Sequence, residues 1–177
     1  MPINSFLYPG VKVPPAFEVA NSCRFNENEY LVRDKATATN VEDFTISVWV
    51  KRSVIEDKSC IISSWGGDSN NTGSIYFTDG DKLTFEAQTS SSYSANGGVR
   101  KITTQVFRDP SAWFHVVVAF DTTQSTAADR VKIYINGSQV TSFDSSVYYS
   151  QNHDLTVGSG YNTNIGYYGA GSNYYGG

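Results

Sequence analysis

A chain of 177 residues holds one domain, or one domain with an arm, and buries enough surface to fold without disulfide or metal staples. Thirteen Lys and Arg against 17 Asp and Glu leave a net charge of −4, which argues against binding to a nucleic-acid backbone, because that binding rests on clustered positive charge. Charged residues are only 17% and aromatic residues 14%, with 15 glycines, a composition that points to an all-β protein and away from disorder.

Four of the five prolines, Pro2, Pro9, Pro14 and Pro15, fall at the start of the chain, and proline lacks the N–H that a central strand needs. The same stretch carries Ile3, Phe6, Leu7, Tyr8, Val11, Val13 and Phe17. It reads as a proline-rich apolar arm (residues 1–17) ahead of a β-domain (residues 18–177), with Phe6, Leu7 and Tyr8 as the side chains that anchor it on partner protein. The start has neither the basic nor the apolar region of a signal peptide, and the longest apolar run, residues 116–120, is too short for a bilayer, so no membrane contact is expected.

From Val19 onward strands alternate with turns. Residues 21–25 and 30–33 are short strands around the polar turn 26–29. Residues 43–52 alternate, with Phe44, Ile46, Val48 and Val50 on one face and Thr45, Ser47, Trp49 and Lys51 on the other. A strand over 59–65 leads into the loop 66–73, and strands over 75–78 and 82–87 flank Asp79-Gly80-Asp81, where Asp-Gly signals a hairpin. Gly97 and Gly98 precede a strand over 99–106, and Asp109-Pro110 marks a turn. Residues 113–120 form a buried type of strand with Phe114, Val116, Val118 and Phe120 on one face and His115 on the other. Residues 122–129 hold one turn of helix. Val131, Ile133 and Ile135 then alternate with Lys132 and Tyr134, Asn136-Gly137 is the preferred type I′ pair, and 139–143 returns. A last apolar stretch, 164–168, sits in a Gly- and Tyr-rich tail.

No segment carries a helical period, and the spacing of the strands predicts an antiparallel two-sheet jelly-roll sandwich. Phe44, Ile46, Val48, Phe114, Val116, Val118, Val131, Ile133 and Ile135 are its expected core. Cys23 and Cys60, the two cysteines, read as small buried hydrophobes, with a disulfide as the second reading.

Phe44-Thr45-Ile46-Ser47-Val48-Trp49-Val50-Lys51 resembles the central strand of concanavalin A-like, laminin-G-like jelly rolls. So do Trp113-Phe114-His115 with the strand that follows them, and Val131-Lys132-Ile133-Tyr134-Ile135-Asn136-Gly137-Ser138, in the same order over residues 18–170. Asn4-Ser5-Phe6-Leu7 with Pro9-Gly10, then Glu18-Val19-Ala20-Asn21-Ser22, and later Asp109-Pro110-Ser111-Ala112-Trp113, are similar to virion proteins of tailed phages, marine and cyanobacterial ones in particular. This second resemblance implies a non-enzymatic structural protein of the virion, as head decoration, head fibre or tail fibre, made in the host cytoplasm. Its implied partners are other virion proteins, in a homo-oligomer or with capsid or tail subunits. Domains of this kind run on past a motif like Asn173-Tyr174-Tyr175-Gly176 into another strand; here the sequence ends at Gly177, so either a longer chain or a partner is expected to cover an unfinished edge.

Catalytic groups are scarce. His115 and His153 are the two histidines; the first reads as a strand residue bonded to a neighbour and the second as solvated. Glucanases of the same broad fold carry Glu-x-Asp-x-x-Glu on one strand, and no such motif occurs: Glu86 is the lone carboxylate of 82–88. No enzymatic activity and no resident cofactor are therefore expected. Asp79 and Asp81 are the calcium candidates, joined by Asp68, Asn70 and Asp121, although turns favour Asp and Asn with or without metal. The alternative function is a carbohydrate-binding adhesin for host surface glycans. Sugars stack on aromatic faces, and Trp49, Trp65, Tyr93, Tyr148 and Tyr149 are the candidates for that contact, with ordinary packing as the competing role of each.

Overall fold

The structure is a computed structural model that describes residues 21–26, 29–35, 37, 40–66, 71–88, 98–157 and 160–169. In chain order its strands are β1 (Leu31–Arg33), β2 (Asp43–Val50), β3 (Ser59–Trp65), β4 (Thr72–Phe77), β5 (Lys82–Gln88), β6 (Gly98–Val106), β7 (Phe114–Asp121), β8 (Val131–Ile135), β9 (Ser138–Gln139), β10 (Phe143–Val147) and β11 (Asn162–Ile165). A single 3₁₀ turn, Ala127–Asp129, stands where one helical turn was expected. No helix among the described residues is long and apolar enough to cross a membrane.

Two antiparallel sheets result: four strands in the order β2-β7-β8-β9, and seven in the order β1-β11-β3-β4-β5-β6-β10. The expected all-β two-sheet sandwich is what forms. Alternation drives it, since every second residue of β7 and β8 is apolar and can only be buried on one face. Val116, Val118, Phe120, Val131, Ile133 and Ile135 meet Ile75, Phe77, Leu83, Phe85, Ala87 and Val99 of the larger sheet. The rings of Phe85 and Phe120 pack edge to face at 4.7 Å across the interface, and Phe107 sits between Phe77 and Phe114 at 5.4 and 5.2 Å.

Phe44, Ile46, Val48 and Phe114 face this core as expected but are only half-buried; among the described residues the smaller sheet ends at β2. The strand expected over 139–143 is divided. β9 stops at Gln139, and the chain crosses to the other sheet, where β10 pairs with β6. Residues 21–25 are not a strand, and Cys23 is exposed, so of the two free cysteines only Cys60 is buried. Burial pushes the Cys60 thiol far up.

The two hairpins differ in how they turn. Asn136 (φ +52°) and Gly137 (φ +82°) form the expected left-handed pair, and Asn136 locks onto β7 by donating its N–H to the His115 carbonyl (2.9 Å) while its side chain accepts the His115 N–H (2.8 Å). Between β4 and β5 the left-handed residue is Asp81 (φ +61°), whose N–H donates to the Thr78 carbonyl at 2.9 Å. That conformation swings the Asp81 side chain inward. Its carboxylate accepts from Arg52 (2.7 Å), from the Glu56 N–H (2.7 Å) and from Arg108 (2.8 Å), and it has no exposed surface. Arg52 also donates to the Phe107 carbonyl (2.7 Å) and lies 4.7 Å from the Phe77 ring. The expectation that Asp81 offers its oxygens to calcium is thus corrected, since two guanidinium groups already neutralise it. Asp79 stays exposed at the hairpin tip, and the described residues contain no cluster of three or more His, Cys, Asp or Glu able to hold a metal ion.

The outer face of the larger sheet is covered over β3–β5 by residues 167–169. Ser63 donates to the Tyr167 carbonyl (2.6 Å), the Gly169 N–H donates back to Ser63 (3.2 Å), and the Tyr168 hydroxyl donates to Glu86 (2.6 Å). Gly169 is needed for this approach, because a Cβ there would lie 2.8 Å from that of Trp65.

Two outcomes follow from this packing. Val116→Asp places an unpaired charge in the sandwich and is expected to cost several kcal/mol or to prevent folding, as read by chemical denaturation. For Asp81, burial alone would raise the carboxyl pKa, but the Glu56 N–H and the two arginines outweigh it and hold the group at about 2. A lowered folded-state pKa means stability present above the ordinary carboxylate range and lost as pH falls toward 2, here about 2 kcal/mol. Asp81→Asn leaves Arg52 buried without its counter-charge, so it is expected to cost about 3–5 kcal/mol at neutral pH and to flatten that acid limb in a denaturation series.

Candidate functional site

The alternation that sends Phe44, Ile46, Val48 and Val50 inward sends Asp43, Thr45, Ser47 and Trp49 onto the outer face of the smaller sheet. The register sets Trp49 beside His115, Ser47 beside Val117 and Val117 beside Tyr134. Trp49 and His115 stack with ring centroids 4.9 Å apart and planes 17° from parallel, and the His115 Nε2 shares a 2.9 Å hydrogen bond with the Ser47 hydroxyl. The imidazole is therefore fixed from two sides, by the hydroxyl and by the indole, as a strand histidine bonded to its neighbour is expected to be. It backs one face of Trp49, whose side chain remains 54% exposed. Trp113, two residues before His115 in sequence, is 47% exposed at the same end of the sheet.

Beside this platform a groove of about 420 Å³ runs along β2 toward residues 22–25. Val48, Val50 and Ile61 line it with Phe25, and so do Trp49 and Trp113. Arg24 and Lys51 line it too, and the lining contains no carboxylate. Sequence reading singled out Trp49 but passed over Trp113, Lys51 and Arg24. For Trp113 the signal was present, since the alternation that places His115 outward places Trp113 there as well.

The remaining aromatic candidates do not join Trp49. Trp65, 38% exposed, ends β3 in the other sheet. Tyr148 is half-buried, its ring 4.8 Å from the Lys101 ammonium, which also lies 4.7 Å from Phe143. Burial draws the Lys101 pKa down to about 8. Tyr149 is corrected outright: at 1% exposure it belongs to the core, so it presents no face to a sugar. His153 stacks on it at 4.2 Å and is half-buried rather than solvated, and that burial lowers its pKa. Tyr93, Phe6, Leu7 and Tyr8 lie outside the described residues, as do Asp68 and Asn70.

Three carboxylates are held in their charged form. Asp121 accepts from the Thr123 hydroxyl and from Gln124, Asp109 from the Ser111 hydroxyl and N–H, and both are pushed below the ordinary range by those bonds; Asp81 is the third. Glu86 lies buried between the Tyr76 and Tyr168 hydroxyls, at 3.1 and 2.6 Å.

A laminin-G family model described as "Concanavalin A-like lectin/glucanases superfamily" matches residues 25–174. No curated protein matches the chain in sequence. Among solved structures, the mouse laminin alpha1 chain domains LG4-5 align with a TM-score of 0.57 at 14% identity, over 88% of this chain and 36% of that one. The native heptameric SAP-like pentraxin from Limulus polyphemus gives 0.54 at 16% identity, over 82% of this chain and 63% of that one. The Ruminococcus gnavus IT-sialidase CBM40 bound to alpha2,3 sialyllactose gives 0.51 at 15% identity, over 83% and 86%. At these identities the likeness concerns the fold. With its strand order, its two sheets and the match over most of its length, the chain belongs to the concanavalin A-like lectin/glucanase superfamily, on its laminin-G branch.

Proposed function

We propose that this domain is a non-catalytic glycan-binding module that contacts its ligand through the outer face of the four-stranded sheet around Trp49. The observation that carries the reading is the exposed indole of Trp49, flat against His115, which is itself held by Ser47. An indole braced on one side offers a rigid face of the size of a pyranose ring at little cost in side-chain entropy. Ser47, Tyr134 and Gln139 share with Val117 the next row of the same outer face, two residues along from Trp49, and supply hydroxyl and amide groups for the sugar's own hydroxyls. Carbohydrate modules with the same fold support the reading, the sialyllactose-bound CBM40 among them.

Three of the described acids are held toward the charged form, which supports binding over hydrolysis. A glycosidase needs one carboxyl held protonated near neutral pH opposite a second carboxylate. Asp81, Asp109 and Asp121 are all shifted the other way. The setting we propose is the one that the sequence motifs imply: a structural component of a tailed-phage particle, as head decoration or fibre or tail fibre, made in the host cytoplasm, assembled with other virion proteins and facing host surface glycans.

A glycan array built from bacterial surface polysaccharides tests the first part. The wild-type domain is expected to bind, Trp49→Ala to lose at least about tenfold in affinity, and Trp65→Ala to bind as the wild type does. Absence of binding across the array overturns the reading, as does retention of affinity in Trp49→Ala. Mass spectrometry of purified particles tests the setting, and absence of the chain from them overturns it.

A further inference from the structure

We propose that two copies of this domain pair edge to edge through β2, antiparallel about a two-fold axis at Ser47, into one eight-stranded sheet. Among the described residues β2 bonds to β7 alone, along all eight of its positions and without a register shift. Among the described residues its other edge has no strand partner. Proteins guard such edges with prolines, bulges or a very short strand, and β2 carries none of these. Its inward side chains Phe44, Ile46, Val48 and Val50 lie on the core yet are only half-buried, and the groove of about 420 Å³ opens beside Val48 and Val50. An open ladder next to an apolar hollow is shaped for another strand.

The sequence of β2 selects a second copy and fixes the register. Pairing about a two-fold keeps inward residues opposite inward ones only when the axis passes through a residue. With the axis at Ser47, Ile46 faces the partner's Val48, Phe44 faces the partner's Val50, and Thr45 faces the partner's Trp49. Asp43 faces the partner's Lys51, and by symmetry this pair forms twice. With the axis at Ile46, Asp43 would instead face the partner's Trp49, and with it at Val48, the partner's Ser53; neither matches opposite charges. The Ser47 register also sets the partner's Phe44 against Val50, at the hollow that Val48, Val50 and Ile61 line. Cross-strand pairs of opposite charge and of apolar side chains are the units that stabilise such ladders.

One consequence rests on the glycan reading above, whereas the pairing itself does not. The two Trp49 platforms would share one outer face, four residues and one strand apart, about 14 Å from each other by strand geometry, so a polymeric glycan could engage both.

Sedimentation over a concentration series, without glycan, tests the pairing, with hydrogen exchange at each end of the series of the β2 amides that point away from β7, those of Thr45, Ser47 and Trp49. A concentration-dependent dimer is expected, in which these amides gain protection. Asp43→Lys and Lys51→Asp are each expected to weaken it at least tenfold, and the double variant, with the charges exchanged, to restore it; that rescue separates lost pairing from lost folding. A monomer at every concentration overturns the proposal, as does a dimer indifferent to the swaps, or Thr45, Ser47 and Trp49 amides already protected in the monomer. Glycan binding retained in Trp49→Ala with the dimer intact would fault the glycan reading alone; a monomer that still binds glycan would fault the pairing alone.

Discussion

Among the described residues four strands stand over seven, and that mismatch governs how they pack. A seven-stranded sheet has more inner surface than four strands can cover, so the smaller sheet must end somewhere above the core. Among the described residues it ends at β2, and the strand is left with three different exposures at once. Its inner row rests on the core only in part, its outer row carries the braced Trp49, and its free edge borders the groove. The candidate site and the candidate interface are therefore two sides of a single structural circumstance. Neither needs a residue that the fold does not already place through simple alternation.

Where apolar burial is incomplete, buried charge closes the end of the sandwich. Arg52 follows β2 directly and is buried, held by Asp81 from the β4–β5 hairpin and by the Phe107 carbonyl after β6. Arg130 does the same at the other end of β7, donating to the Tyr149, Gln124 and Ser125 carbonyls and so fixing the loop that precedes β8. Such groups are stable inside a protein only when all their partners are in place, so they specify the geometry more than they add to stability. The position of β2, and with it Trp49, is set from its C-terminal end by the Arg52–Asp81 pair.

How much of this the sequence revealed depends on the range of the interaction. Period-two alternation in β2, β7 and β8 and the Asn136-Gly137 turn are local, and each could be read from consecutive residues. The place of Trp49 on an outer face came from the same alternation. Asp81 was misread because its partners, Arg52 and Arg108, are 29 and 27 positions away, and an aspartate after Asp-Gly looks like turn chemistry or a metal ligand when they are out of view. Tyr149 was misread for a similar reason: its ring is buried by packing against the core and His153, while the residues that follow it in sequence, 150–154, are all polar. The division of 139–143 between two sheets was hidden as well, because a strand that changes sheets keeps the composition of one that does not.

The two faces of the sandwich are not equivalent, and this bears on which one meets a ligand. Over β3–β5 the larger sheet's outer face is closed by residues 167–169, which bond to Ser63 and Glu86 and bring the Tyr168 ring within 5.4 Å of Tyr76. Opening it would break those bonds and leave Glu86, 3% exposed, without the Tyr168 hydroxyl. The smaller sheet's outer face needs no such rearrangement: Trp49 is exposed and already immobilised by His115. A ligand that binds there forfeits no internal contact and orders no loop, and both savings favour affinity in weak, repeated contacts of the kind a surface polysaccharide offers.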